Sequence, residues 1–403
     1  MDRRAARKVL RRLYFAALAG VEPEAAVTRA LARARVRAAL ARARRVGIFA
    51  AGKAAAGMAR AALRELPRAP SLPPAQALVV LPRGHAGTGL GGAEILRAAH
   101  PRPDSSSVRA ARRSLRFFAS FAEDDLVLCL ISGGASSLLT LPRAGVSLSE
   151  KRRRVDALVR AGAPIGEVNR LRTALSAVKG GRLGAATRAR VITLVLSDVP
   201  GDRASLVGSG PTIRNRRGDL VLVVGSNGRG LDAAAAEARA LGLRAVRSRA
   251  RLAGPARVAG RRAARRAKTL SPGAVWLAGG ETVVALGAAR SRGGRSLETA
   301  LSAALALEGE ADLSWLAACS DGRDGSSSSA GAFADTATVS RARRLGLNPR
   351  GALDRHATHA FFARLSDLLV TGPTGTNVGD WIFLLRDARR RLSPPRAPRR
   401  SRH

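Results

Sequence analysis

Four stretches of this chain run apolar without interruption and then break into small polar residues: "RRVGIFAAGKAAAGMARAAL", "AQALVVLPRGH", "DDLVLCLISGGASSLLTLP" and "ARVITLVLSDVPGD". Each predicts a short strand and a loop, and the first adds an Ala-rich helix. The runs are continuous, as strands buried on both faces of a parallel sheet are. From the start to about Arg45, Ala, Leu and Arg recur at helical spacing, with "VEPEAAVTRAL" marking a break and a fresh helix start. Helices between such strands argue for an α/β three-layer sandwich. A second set of strands, "GAVWLAGGETVVAL", "LSWLAACSDGRDG" and "LSDLLVTGPTGTNVGDWIFLL", follows with tighter spacing. The expected organisation is an N-terminal domain over 1–245, a basic connection over 246–272 whose "RVAGRRAARRAK" fits an exposed helix flanked by loops, a smaller C-terminal domain over 273–388, and a disordered Pro/Arg tail over 389–403.

Composition changes this picture little. At 403 residues the chain is long enough for two domains, and aromatics are only 3%, so Ala, Val and Leu must build the core. No apolar run reaches the ~20 residues of a membrane span, and the basic N-terminus lacks an apolar signal core. Cys129 and Cys319 each fall within or at the end of an apolar run, which predicts buried free thiols and a cytoplasmic location. The net charge of +41 is almost all Arg, spread through helices such as "RAARRSLRFF" and not interleaved with aromatics. That pattern excludes a stacking platform for single strands and leaves only sequence-independent, salt-sensitive attraction to polyanions. Oligomeric state is left open.

The strand ends carry the candidate chemistry. "SGGASS", "GSGPT", "GGET" and "TGPTGTN" place Gly133, Gly134, Ser136, Ser209, Gly210, Gly279, Gly280, Thr282, Thr374, Gly375, Thr376 and Asn377 where ligands meet open α/β sheets. Gly lets backbone N–H groups converge on an anion. None of the four fits a G-x-x-x-x-G-K-[ST] or a G-x-G-x-x-G fingerprint. Asp198, Glu281 and Asp321 cluster near these loops; they either balance nearby Arg or hold Mg²⁺, which takes one or two carboxylates beside substrate phosphates. Lys53, in the turn after "VGIFAAG", is either a surface charge or a point donor to a carboxylate or phosphate.

In order along the chain, "AAGKAAAGMA", "AHPRPDSSS", "LISGGASSLL", "VNRLRTALSAVKGGRL", "LSDVPGD" with "GSGPT", "LAGGETVV", "GGRSLE", "SDGRDG" with "AGAFAD", and "TGPTGTNVGD" resemble the glycerate 2-kinase family with its C-terminal MOFRL domain. The likeness runs from about Val46 to Leu385. It implies a Rossmann-like three-layer α/β/α sandwich plus a smaller C-terminal α/β MOFRL domain, with the active site in the cleft between them. The implied reaction is ATP- and Mg²⁺-dependent phosphorylation of the 2-hydroxyl of D-glycerate. Lys53 and Arg295 become the central cationic residues by position, and Asp198 is suited to metal or hydroxyl binding, with Glu281 and Asp321 as further metal candidates.

The chain departs from the family pattern at several places. Thr173 and Ala174 stand where a Lys-His pair is usual, Ser296 and Leu297 replace Asn-Gln, and His356 and Ala357 replace Asn-Asp. Ser326, Ser327 and Ser328 replace a Pro-Thr-Asp run, and Arg203 an Asp. Three alternatives therefore stand beside the kinase: a member with altered substrate, a member that binds nucleotide or a small acid without efficient turnover, and a hydroxypyruvate reductase, the label some members carry. His356 is either a new general base or simply solvated.

Overall fold

The computed structural model describes residues 1–66, 76–161, 165–199, 201–286 and 291–388. The expected tail over 389–403 lies outside them. Six parallel strands form the first sheet: β1 (Val46–Ala51), β2 (Gln76–Pro82), β3 (Ala93–Ala98), β4 (Leu126–Ser132), β5 (Arg190–Leu196) and β6 (Leu220–Gly225). Their order, β3-β2-β1-β4-β5-β6, reverses direction between β1 and β4, so loops leave that point on opposite faces and open a crevice. Both faces are covered. Ile48, Val79, Leu128 and Leu194 meet helices Pro23–Leu31 and Ala55–Glu65, while Phe49, Leu78, Val127 and Val191 meet helix Ser105–Ala119.

The second sheet contains β7 (Arg244–Arg247), β8 (Ala274–Gly280), β9 (Leu313–Cys319), β10 (Gly331–Asp335), β11 (Leu368–Leu369) and β12 (Asp380–Arg386), in the order β11-β10-β9-β12-β8-β7. Only β7 and β8 run parallel among its pairs. One face packs Trp276, Trp315 and Leu384 against helices Ala256–Lys268 and Arg295–Ala306. The other packs Leu277, Trp381 and Phe383 under helices Arg3–Gly20 and Asn227–Ala240.

The segment 246–272 holds the end of β7 and, where the sequence suggests an exposed helix, helix Ala256–Lys268, whose Ala256, Ala259, Gly260, Ala263, Ala264 and Ala267 instead form a buried stripe. A face made only of Ala and Gly, opposite a dense row of Arg, has too little apolar bulk to stand out by composition. The first helix also crosses over to the second sheet. Its Leu10, Leu13, Tyr14 and Ala17 are buried there, and the Tyr14 hydroxyl donates to the Cys319 carbonyl at 2.9 Å. Arg3, Arg7 and Arg341 all pair with the fully buried Asp367 carboxylate. Both cysteines are free and buried, and no described helix is long and apolar enough to cross a membrane.

Candidate active site

The reversal between β1 and β4 is where Lys53 and Gly133 meet. The Lys53 N–H donates to the Gly133 carbonyl at 2.9 Å, and the next N–H, of Ala54, donates to the Ser132 hydroxyl at 3.1 Å. Held at both strand ends, the Lys53 side chain reaches across to the second sheet, where its Nζ lies 3.1 Å from Asp321 Oδ2 just beyond β9. Burial alone pushes the Asp321 carboxyl up, but Lys53 and the Arg323 N–H outweigh it and hold the group below its ordinary value.

Asp198, after β5, presses on the same loop. A Cβ at Gly133 would sit 2.0 Å from Asp198 Oδ2, so only glycine leaves room for this carboxylate. Asn377 approaches the same point with its Nδ2 at 3.1 Å. Asp198 has no ion-pair partner among the described residues; burial, with the Glu281 charge adding to it, pushes its carboxyl up to about 6. Arg295 opens helix Arg295–Ala306 and bridges two acids, with Nη1 at 2.6 Å from Glu281 Oε1 and Nε at 2.7 Å from Asp380 Oδ2. The second contact is close but off the N–H direction, so neither Asp380 oxygen accepts an aligned hydrogen bond. Burial pushes the Asp380 carboxyl up to about 7 against the pull of Arg295.

Asp198, Asp202, Asn227, Arg247, Gly280 and Glu281 share a cavity of about 200 Å³. Residues 247–251 also line a second, larger and more apolar cavity of about 460 Å³ beside Trp276. Helix Asn227–Ala240 starts at the first cavity, directing its unpaired N–H groups and positive dipole end there.

Of the residues expected at the site, Lys53, Asp198, Arg295, Glu281, Asp321, Gly133, Gly134, Gly279, Gly280 and Asn377 gather at the facing sheet ends. Others are committed elsewhere. Ser209 and Gly210 are buried and accept backbone bonds from Gly180 and Gly181. The Thr374 hydroxyl donates to the Ser320 carbonyl, and that of Thr376 to the Val21 carbonyl at 3.3 Å. The loop over 371–377 thus fastens β12 to its surroundings, and its threonines are not free donors. Thr282 is buried, and Gly375 is open to solvent with no neighbour near its Cα. Ser136 faces away, toward Lys179. Asp198, Glu281 and Asp321 do not converge: among the described residues no three acidic, His or Cys side chains form a ready metal cage.

The substituted positions are mostly structural. Leu297 is buried in the second core, and the Ser296 and Leu297 N–H groups donate to Asp324 at 3.0 and 2.8 Å. His356 is not simply solvated: its Nδ1 meets Glu298, which also pairs with Arg257. Ser326 exchanges bonds with the Gly293 backbone, and Ser327 bonds Ser329 and His359.

Three residues at the site escaped the sequence reading. His100 lies against Lys53: a Cβ on Gly134 would be 3.1 Å from His100 Nε2 and 3.4 Å from Lys53 Cγ. Burial, then the Lys53 and His85 charges, push His100 down to about 4, and burial followed by Lys53 lowers His85, so both rings are neutral near pH 7. Asp380 is the third. The "GSNGRG" turn into helix Asn227–Ala240 was a usable signal, since it repeats the strand, Gly-rich loop and helix of the other ligand loops.

Residues 9–223 match the family described as "Domain of unknown function (DUF4147)", and residues 274–380 match the MOFRL family. A D-glycerate 2-kinase of Thermotoga maritima is 35% identical, over 84% of this chain and 90% of its own. Two Agrobacterium vitis proteins, named as candidate hydroxypyruvate reductases, are 37% and 40% identical; the first covers 93% of both chains, the second 83% of this one and 97% of its own. The crystal structure of the Thermotoga maritima glycerate kinase superposes with a TM-score of 0.84 at 33% identity, covering 95% of this chain and all of that one. Two matched family domains in sequence order, and a shared fold over nearly the full length, place the chain in the glycerate 2-kinase family with a C-terminal MOFRL domain.

Proposed function

We propose that this chain is a cytoplasmic ATP- and Mg²⁺-dependent glycerate 2-kinase working in the cleft between the two sheets. The observation that carries the reading is Lys53, fixed at the reversal of the first sheet and aimed at Asp321 of the second. Phosphoryl transfer depends mainly on positioning and charge stabilisation, which a backbone-anchored cation supplies. Asp198 and Glu281 repel one another beside one cavity, so a divalent cation between them would relieve both, and two carboxylates suit Mg²⁺. Bound there, Mg²⁺ would neutralise charge on the nucleotide phosphates. Asp321 is already neutralised by Lys53 and is the weaker metal candidate.

In the transfer, the 2-hydroxyl oxygen of D-glycerate bonds to the γ-phosphorus as the bond to the β–γ bridging oxygen breaks and ADP leaves. The hydroxyl proton goes to the Asp198 oxygen left free by the cation; the carboxyl, at about 6 without metal and lower with one held, is ionised at neutral pH in either case. Lys53 and Arg295 stabilise the moving charge, and the neutral His100 adds no competing cation beside Lys53.

The test is ADP release coupled to D-glycerate. Lys53→Met should lower kcat/KM by about a hundredfold or more, and Lys53→Arg by less, since its planar head cannot place charge at the same point. Lys53→Met should also lower Tm modestly, because Asp321 is left without its cation. Full activity in Lys53→Met overturns the proposal. NADH oxidation with hydroxypyruvate in place of ADP release would support the reductase instead.

A further inference from the structure

Away from the cleft, a cavity of about 90 Å³ opens between helix Leu148–Arg160, helix Ile165–Ala174 and the loop after β4. Lys151, Arg172 and Lys179 line it. Lys179 is 1% exposed and Lys151 4%. The Lys179 ammonium donates to the Ser136 carbonyl and, at 2.6 Å, to the Ser136 hydroxyl. The Lys151 ammonium donates to the carbonyls of Leu175 at 2.9 Å and Arg172 at 3.3 Å. Among the described residues none of the three has a carboxylate within ion-pair distance. The one acid in the lining, Asp156, is held by Arg102 at 2.6 Å, and its charge also acts on Arg172.

Two buried ammonium groups with only neutral acceptors, beside a guanidinium that feels the Asp156 charge alone, are costly to fold. Buried charges ordinarily come paired. The strain shows in the proton affinities. Burial, then Arg172 and Arg182, push Lys151 down to about 8, and burial, then Lys151 and Arg172, push Lys179 well down. An oxyanion in the cavity would supply the missing charge and restore both ammonium groups. The charges acting on Lys179 are those of Lys151 and Arg172, whereas Lys53 acts on Asp198, His85 and His100. The two ammonium groups are held by different partners, Lys179 by Ser136 and Lys53 by Asp321, although Pro101 and Ser136 of this cavity stand next to His100 and Gly134 of the cleft along the chain.

We propose that this cavity is a second anion site, in which Lys151, Arg172 and Lys179 bind one small oxyanion, a carboxylate or a phosphoryl group, independently of the Lys53 cleft. The volume suits such a group and excludes a nucleotide. The site does not depend on the proposed kinase activity. Its contact with Ser136, two residues beyond Gly134, links its occupancy to the loop that carries the cleft's glycines.

Isothermal titration of inorganic phosphate and of D-glycerate, at fixed ionic strength in chloride, tests it. Using the full chain carrying Lys53→Met removes the cleft's main cation from the measurement. That variant should still bind at least one of the two anions, and whichever binds identifies the source as phosphoryl or carboxylate. Adding Lys151→Met or, separately, Arg172→Met should weaken that binding tenfold or more, and the two variants give independent readings should one fold poorly. Arg172→Met should leave Tm in anion-free buffer nearly unchanged, whereas Lys151→Met also strips the donor from the Leu175 and Arg172 carbonyls and should lower it modestly. If Lys53→Met binds neither anion, or the added substitutions leave binding unchanged, the proposal is wrong.

Discussion

Asp198, Asp324 and Asp380 are carboxyls whose protons the fold retains, at about 6, 6 and 7, burial being the first cause in each. Between the ordinary carboxyl value and these values the folded chain binds more protons than the unfolded chain. Their stabilisation is therefore present at low pH and lost as pH rises through about 6 to 7. Asp104, Asp125, Glu24 and Asp321 are shifted the other way, and their contribution is lost as pH falls through their lowered values. His100, His85 and Lys179 are shifted down and act in the opposite direction over part of the same range, so the carboxyl contribution is read by difference. Between pH 5 and pH 8 the Tm of Asp380→Asn should fall less, or rise more, than that of the parent, and Mg²⁺ should act in the same sense by lowering the Asp198 value. Parallel Tm profiles for parent and Asp380→Asn would show the Asp380 carboxyl already ionised. Lys53, Asp198 and Asp321 could be picked out in the sequence because each follows an apolar run directly. His100 and Asp380 could not, since what gives them meaning is a neighbour supplied by another strand end.

At the scale of elements, the buried strands were legible because continuous apolar runs have few other uses. Helix Ala256–Lys268 was legible only as an exposed helix, because its buried face is Ala and Gly alone. The partner of the first helix was not legible, since periodicity at Leu10, Leu13, Tyr14 and Ala17 marks a face without saying what covers it. One glycine fixes how closely these elements approach. A Cβ at Gly230, in helix Asn227–Ala240, would lie 2.4 Å from Trp381 Cζ2 and 3.0 Å from its Cε2. The Trp381 ring is fully buried, stacks on Phe383 and has Tyr14 at its edge, so it cannot yield. Gly230→Ala gains up to about 1 kcal/mol of helix propensity and loses about 1–3 kcal/mol to overpacking, and at 2.4 Å the clash prevails. Gly166→Ala, in helix Ile165–Ala174, meets only the end of Arg170 at 3.9 Å and should be neutral or stabilising. Denaturant midpoints of the two variants should move in opposite directions, or only the first should move. An unchanged midpoint in Gly230→Ala would mean that the helix slides on the sheet.

For the molecule as a whole, the sequence predicts two α/β units, and two sheets are there, each with a hydrophobic cluster of its own, but a third and larger cluster runs through both. Ile48, Val79, Leu128 and Leu194 of the first sheet belong to the same buried cluster as Leu277, Trp381 and Phe383 of the second. Tyr14 and Leu10 of the first helix and Leu231 and Ala234 of helix Asn227–Ala240 complete it. This continuity was hidden in the sequence because the helix that covers the second sheet is encoded at the opposite end of the chain. It also bears on the cleft: Lys53 and Asp321 can meet at fixed distance only if the sheets that carry them do not drift. Units with separate cores unfold separately, whereas units sharing one lose it together. Calorimetry should therefore show one transition with calorimetric and van't Hoff enthalpies equal. Deleting residues 1–20 strips the cover from Trp381 and Phe383 and removes the Arg3 and Arg7 pairs with Asp367. That deletion should lower the whole transition instead of splitting off a minor one. With +41 of net charge repelling itself, added salt should raise the single midpoint. Two resolved transitions in the full chain, with only the later-sheet one lost on deletion, would mean that the shared core does not couple the sheets, and that the spacing of Lys53 and Asp321 is set by local contacts alone.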